Sequence, residues 1–316
     1  MKRLTGFLFL FAGVSCISLF VGRFIFSPLP MNDLERTIML DVRLPRIVVG
    51  ALIGASLSTA GLAFQNTFRN PLAGPNVLGV TSGSAFGAVV AILLFTSNPA
   101  LIQLMAFLGG ILAVALVLYL SRLIGDGILS LVLAGMAVSA FFSALVGVAK
   151  YMADPYDKLP TIVFWLLGSL AGMRWESTGL LPVPILIGIG GLMLLRWPLN
   201  VLSLGEEEAK ALGLNVKAYR TLIIMLSTLC ISASTAMAGI VSWVGLIAPH
   251  MARLLVGHDA RSLVPASALI GATLLIVCDD LARSLAPMEL PLGVMTSIIG
   301  APALVIILRR RWYAVR

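Results

Sequence analysis

Charge is scarce in this chain. Asp, Glu, Lys and Arg make up 11% of its 316 residues, against roughly 25% in an average soluble domain. Histidine occurs only twice, as His250 and His258. With so few imidazoles, and no run of Asp, Glu or His inside an apolar stretch, the sequence shows neither a proton relay nor a path for a bare metal ion. Cysteine is nearly as rare. Cys16, Cys230 and Cys278 all fall in apolar segments without paired ligand spacing; they read as small hydrophobes and leave the redox compartment open. The five lysines are followed by Arg3, Tyr151, Leu159, Ala211 and Ala218, and none follows a glycine. The Gly-Lys-Ser/Thr loop that cradles nucleotide phosphates is therefore missing. If ATP drives this protein, another subunit hydrolyses it.

What fills the chain instead is apolar. Hydrophobic residues make up 59% of it, and the mean hydropathy is +1.03. A membrane-crossing helix needs about 20 mostly apolar residues. Suitable runs lie at 4–26, 47–66, 77–96, 100–120, 128–149, 178–197, 219–239, 262–281 and 292–308. A tenth, weaker run at 240–256 is interrupted by Pro249-His250. Residues 161–173 are too few to span and are expected at the interface. Lys2-Arg3 and the following apolar run have the look of a signal peptide. The run is long, however, and exits through Arg23-Phe24-Ile25-Phe26-Ser27-Pro28 rather than a small-residue cleavage pattern, so a first span is expected. The whole of 1–316 thus reads as one polytopic, all-α membrane domain.

Charge sets the expected orientation. With ten spans and a cytoplasmic N-terminus, 14 of the 22 basic residues fall on the cytoplasmic side, including Arg309-Arg310-Arg311. Both termini are then cytoplasmic by the positive-inside rule. The net charge of +8 follows from this bias and from contact with anionic headgroups, and needs no nucleic acid.

Small residues recur at four-residue spacing, as Gly50, Gly54 and Ser58, then Gly79, Gly83 and Gly87. In lipid this spacing lets helix backbones approach closely, and a smooth wall would also suit a solute path. Asp279-Asp280 is the one carboxylate pair inside a span, with Arg283 a turn away. Pairing at i+3 or i+4 is the simplest expectation, and a proton or cation site the alternative. The most polar stretch is 203–217, SLGEEEAKALGLNVK. Ser203 can cap a short helix, Glu206, Glu207 and Glu208 favour its first turn, and Gly213 can end it. Ala209, Leu212 and Leu214 then offer an apolar face to a partner groove.

Five motifs in order complete the picture. They are Arg43-Leu44-Pro45-Arg46; Arg69-Asn70-Pro71-Leu72-Ala73 leading to Leu78-Gly79-Val80; Leu204-Gly205-Glu206 through Ala209 to Leu212-Gly213; Trp243-Val244-Gly245-Leu246-Ile247-Ala248-Pro249-His250 with Arg253; and Glu289-Leu290-Pro291-Leu292-Gly293-Val294 with Gly300-Ala301-Pro302. Together, over about residues 40–310, the chain resembles the FecCD-like permeases of ABC importers for iron–siderophores, haem, cobalamin and some oxyanions. The resemblance implies about ten transmembrane helices per protomer and a homodimer with a central pathway. It also implies two ATP-binding-cassette subunits, which bind ATP and Mg, and a soluble or lipid-anchored substrate-binding protein. This chain itself would bind no cofactor or metal and catalyse nothing, and would sit in the inner membrane of a prokaryote. Gly205, Glu206, Glu207, Ala209, Leu212 and Gly213 would couple to the ATPase. Arg43, Arg46 and Arg283 would meet acidic side chains of the binding protein. Pro249, His250 and Arg253 would form a structural turn.

The absence of membrane ligands for a free ion implies a wrapped cargo, a ferric siderophore or related chelate, with cobalamin, haem or molybdate/tungstate as alternatives within the family. A reading from another class is an ion-coupled secondary transporter using Asp279 or Asp280. An intramembrane enzyme lacks a nucleophile–base pair or metal set.

Overall fold

The computed structural model describes residues 2–22, 24, 32–95, 98–125 and 127–314, with the side chains of 2, 3, 308 and 310–314 excepted. The segment expected to end the first span, around Arg23 and Pro28, lies largely outside the described residues, as do the side chains of Lys2, Arg3, Arg310, Arg311 and Arg316. Among the described residues the regular structure is entirely helical.

The chain runs α1 (Lys2–Ser18), α2 (Asp33–Thr37), a π-helical turn (Ile38–Arg43), α3 (Leu44–Thr67), α4 (Val80–Phe95), α5 (Pro99–Ile124), α6 (Ile128–Met152), α7 (Lys158–Leu167), α8 (Pro182–Leu194), α9 (Arg196–Leu204), α10 (Glu206–Ala211), α11 (Val216–Ala238), α12 (Val244–Val256), α13 (Ala260–Ser284) and α14 (Leu292–Ala314). Among the described residues, five helices are long and apolar enough to cross a membrane, or six when the bent pair α8–α9 counts as one. α1, α4, α7, α12 and the described apolar part of α14 are shorter.

Three boundaries differ from expectation. The second span begins at Asp33, because Asn32 and Glu35 form a capping box, Asn32 accepting from the Glu35 N–H and Glu35 from the Asn32 N–H. Arg43 and Arg46 therefore sit inside a continuous helix of 35 residues, Asp33–Thr67, rather than at its mouth. The run 178–197 ends early, at Leu195, where the chain bends by 61° into α9. Pro249 does not interrupt its helix. The turn lies earlier, at Gly239 (φ 70°) and Trp243 (φ 69°), and α12 runs unbroken through Pro249 and His250.

Proline cannot donate to the carbonyl four residues back, here that of Gly245. This carbonyl lies against Gly61 of α3, where any Cβ would overlap it.

α3 is the axis of the bundle. It packs on α8, α9, α11, α12 and α13, and its most apolar window is 78% buried, against 28% for α5 and 33% for α6. Its small residues make these approaches possible. A Cβ on Gly54 would run into the Gly271 carbonyl of α13, and Ser58 Oγ donates to the Ser267 carbonyl at 2.8 Å. Gly83 and Gly87 of α4 meet the Gly109 and Met105 carbonyls of α5 in the same way. Two of the paired glycines behave differently. Gly50 faces only the flexible tip of Leu170, and Gly79 lies at the entrance to α4 with φ 72°, a conformation that favours glycine.

Candidate functional site

Polar chemistry in an apolar bundle has to be paired, because an unpaired charge in lipid costs about 2.5–3.5 kcal/mol by insertion scales. The chain concentrates it in three places, two at the ends of α3 and one at α9–α11.

At the N-terminal end, Arg46 is clamped by two helices. Its Nε and Nη2 reach the two Asp279 oxygens of α13 at 2.8 Å each, and Nη1 reaches Glu289 at 3.0 Å. The fork of the guanidinium matches the carboxylate plane. Beside it Arg283 donates to Asp280, three residues back on α13, and to the Ser18 carbonyl at 2.7 Å. Ser18 Oγ donates to Asp280 at 2.6 Å, which ties the end of α1 to α13. Arg43 donates to the carbonyls of Leu19 at 2.7 Å and Phe24 at 2.9 Å.

The expected i+3 pairing of Arg283 is present, and Asp279 has gone to Arg46 instead. The three arginines expected at a docking surface are all buried and engaged within the chain. They hold α1, α3 and α13 together in this conformation and do not present their guanidinium groups outward.

At the C-terminal end, Arg253 of α12 reaches back to α3. Its Nη1 donates to Gln65 Oε1 at 2.5 Å and its Nη2 to Asn66 Oδ1 at 3.1 Å. Gln65 Nε2 donates to the Leu246 carbonyl at 3.3 Å. His250 Nε2 lies 2.8 Å from the Pro71 carbonyl, so it braces the loop after α3. Pro249, His250 and Arg253 thus form one face of a helix rather than a turn. Gln65 and Asn66 were not singled out from the sequence. Two adjacent amides closing an otherwise apolar run were the available signal. Among the described residues no group of three His, Cys, Asp or Glu side chains comes together.

The third place is α9–α10. Gly205 joins the two helices with φ 152°, and a Cβ there would overlap the Glu208 carboxylate. Gly213 (φ 78°) ends α10 as expected, with its N–H on Lys210 and the Leu214 N–H on Ala209, a Schellman closure. Ser203 does not cap α10. Its hydroxyl donates to the Asn200 carbonyl within α9. The apolar face also turns out differently, since Ala209 and Leu214 are buried against the bundle and Leu212 is exposed. Glu206 accepts from Arg220 of α11 at 2.9 Å and from Lys210 at 3.4 Å. The hydrogen bond from Arg220 holds its carboxyl below the usual carboxylate range. Glu207 points into solvent.

Comparison with known proteins places this geometry. Residues 6–310 match the FecCD transport family. The chain belongs to this family. It is 40% identical to the molybdate import system permease protein of Haemophilus influenzae, over 95% of this chain and 93% of that one. It is 39% identical to the hemin transport system permease protein of Yersinia pestis, over 89% of this chain and 86% of the relative. A solved structure described as a metal-chelate type ABC transporter in an inward-facing conformation superposes with a TM-score of 0.93 and 41% identity, covering 98% of this chain and 99% of that one. The protein is a multi-pass membrane permease of the ABC importer class, and its helical bundle is the fold of that class.

Proposed function

We propose that this permease works as two copies around a central path. Each copy crosses the inner membrane about ten times, with both termini cytoplasmic. Two ATP-binding-cassette subunits hydrolyse Mg–ATP beneath the pair, and a soluble or lipid-anchored binding protein delivers cargo from outside. The observation that carries this reading is the build of α9–α10. A lever has to be fixed on one side and offered on the other. Here the Glu206–Arg220 pair fixes α10 to α11 and Ala209 is buried in the core, while Glu207 and Leu212 face outward. Gly205 and Gly213 close the two ends of α10. Nucleotide-driven closure pressing on this surface would reach α11 directly, and through α11 the central α3.

Docking of the binding protein through Arg43, Arg46 and Arg283, which family resemblance implies, requires these groups to exchange their present partners for acidic side chains. Such an exchange preserves pairing while it moves α1 and α13, so docking and opening would be linked.

The cargo we infer is a ferric siderophore or a related metal chelate. A bundle without a cluster of metal-binding side chains among its described residues suits a metal that arrives already wrapped. A second reading, molybdate, is favoured by the Haemophilus influenzae relative, which matches nearly end to end. Uptake of labelled ferric chelate and labelled molybdate by proteoliposomes holding the permease, its ATPase and its binding protein tests both. Ferric uptake that stops with a hydrolysis-dead ATPase is the expected result. Molybdate uptake alone transfers the cargo to the second reading. Uptake that survives the dead ATPase and follows an ion gradient would overturn the importer mechanism.

A further inference from the structure

The π-helical turn Ile38–Arg43 meets the loop between α7 and α8 at a hydrogen bond that the transport reading does not use. A π turn inside a long helix is uncommon and needs a local cause. Pro45 supplies one. In an α-helical register its ring would press on the Asp41 carbonyl, four residues back, and it has no N–H to offer. The wider π turn relieves that clash and moves the shortage of donors from Asp41 to Leu40. The Leu44 N–H goes to the Met39 carbonyl, five residues back. The next donor in this register, for the Leu40 carbonyl, would be the N–H that Pro45 lacks. The indole N–H of Trp175 fills the gap, donating to the Leu40 carbonyl at 3.1 Å.

Trp175 belongs to a segment that is tied to three other helices. The Gly168 carbonyl accepts from the Leu292 N–H at the start of α14, and the Ser169 N–H donates to the Ala238 carbonyl at the end of α11, both at 2.9 Å. Gln103 of α5 donates to the Ser177 carbonyl at 3.2 Å. The segment is also closed on itself. Ser177 Oγ accepts from the Arg174 N–H at 2.8 Å, and the Met173 N–H donates to the Leu170 carbonyl at 3.1 Å. The bond to Leu40, by contrast, stands at the surface, with Trp175 48% and Leu40 41% exposed. Water can replace the indole there, so the contact can open without leaving a buried carbonyl unpaired.

We propose that Trp175 is a positioning residue. Its indole N–H stands in for the donor that Pro45 lacks and holds the π turn in register with the ends of α5, α11 and α14. Arg43 closes that turn and Arg46 lies three residues on, so opening the bond loosens the stretch that carries both. The inference rests on the backbone geometry of the chain, and holds whatever the cargo, the docking partner or the coupling surface.

Hydrogen exchange of the whole permease in lipid nanodiscs, followed by mass spectrometry, tests it. Trp175→Phe keeps a ring and loses the donor. It is expected to speed exchange of the amides from Ile38 to Arg46 by about three- to tenfold, as the loss of one hydrogen bond should, and to leave α13 unchanged. In a Pro45→Ala background position 45 regains an N–H, and the same substitution is expected to change nothing. Trp175→Gln keeps an N–H without the ring and is expected to stay closer to wild type than Trp175→Phe. That contrast decides the matter if Pro45→Ala does not fold. Unchanged exchange in Trp175→Phe overturns the proposal, and so does a Trp175→Gln variant no closer to wild type. Equal acceleration in both backgrounds, or acceleration that spreads into α13, marks lost packing rather than a lost bond and overturns it too.

Discussion

Arg46 and Arg253 are both buried guanidinium groups, held at opposite ends of α3. Asp279 and Glu289 hold the first through full carboxylates, one of them bidentate. The amides of Gln65 and Asn66 hold the second. A charge–charge clamp inside a bundle is stiff, because removing one partner strands the other. Amide partners can rotate and re-pair without leaving a carboxylate behind. The N-terminal end of α3 is therefore built as a lock, and the C-terminal end as a joint beside α9 and the loop at Pro71.

The largest expected effect is at the lock. Asp279→Ala leaves Arg46 with Glu289, whose side chain is 36% exposed, and should destabilise the permease by about 3–5 kcal/mol. Replacing both members, Arg46→Met with Asp279→Leu, should recover most of that loss, since a well-packed apolar pair is often neutral relative to a buried ion pair. Thermal unfolding of the two variants in one detergent makes the comparison. A double variant as unstable as the single would mean that the loss comes from the clamp's own interactions rather than from a stranded Arg46.

Between the ends, α3 should be intolerant where it touches backbone and tolerant where it touches side chain. Gly54→Leu must push α13 away from the Gly271 carbonyl and should cost about 1–3 kcal/mol or more. Gly50→Ala meets only the tip of Leu170, at 3.2 Å, and should cost under about 1 kcal/mol. Folded yield and melting temperature of the pair measure the contrast, and equal effects would contradict the packing assigned to Gly54.

How much of this was legible beforehand follows from sequence separation. The Arg283–Asp280 pair is three residues long in sequence, and helix geometry alone announces it. The Arg46–Asp279 clamp spans 233 residues, and no local pattern selects Asp279 over Asp280 for it. The four-residue spacing around Gly54 and Gly83 signalled close packing, while the opposing Gly271 and Gly109 depended on which helices become neighbours. Pro249 was misread because a proline in a short apolar run suggests an interruption. What the sequence does not display is that Gly61 makes room for the Gly245 carbonyl, to which Pro249 cannot donate. The ends of α10 were half legible. Gly213 closed the helix as its residue type requires, but Ser203 had a nearer acceptor in Asn200.

At the joint, Gln65→Ala removes one neutral partner from Arg253 and should cost about 1.5–3 kcal/mol, the range for hydrogen bonds to a charged group. The two-ends comparison predicts more than a stability loss. Uptake per folded transporter should fall in this variant. In Asp279→Ala the main effect should be on folded yield. Uptake normalised to folded protein that is unchanged in Gln65→Ala would remove the mechanical role given to that end.

The smallest effect is expected at the Glu206–Arg220 pair, and its pH dependence is its signature. Arg220 lowers the Glu206 pKa in the folded protein. A carboxyl with a lowered folded-state pKa adds stability above its ordinary value, and the increment disappears as pH falls through the lowered one. The Glu206 side chain is 37% exposed, so solvent screening limits the pair to about 0–1 kcal/mol. Wild type should therefore exceed Glu206→Gln by a small, constant margin at pH above the ordinary carboxylate range, and the two should converge only once pH has fallen through the lowered Glu206 pKa. If Glu206 serves as the fixed side of a lever, the same substitution should reduce ATP-driven uptake by more than this margin implies. On that reading force transmission would run through the Glu206–Arg220 contact and the buried Ala209, whereas most of the stability of the bundle would lie elsewhere. A loss of uptake no larger than the loss of stability would return α10 to the status of an ordinary solvated helix.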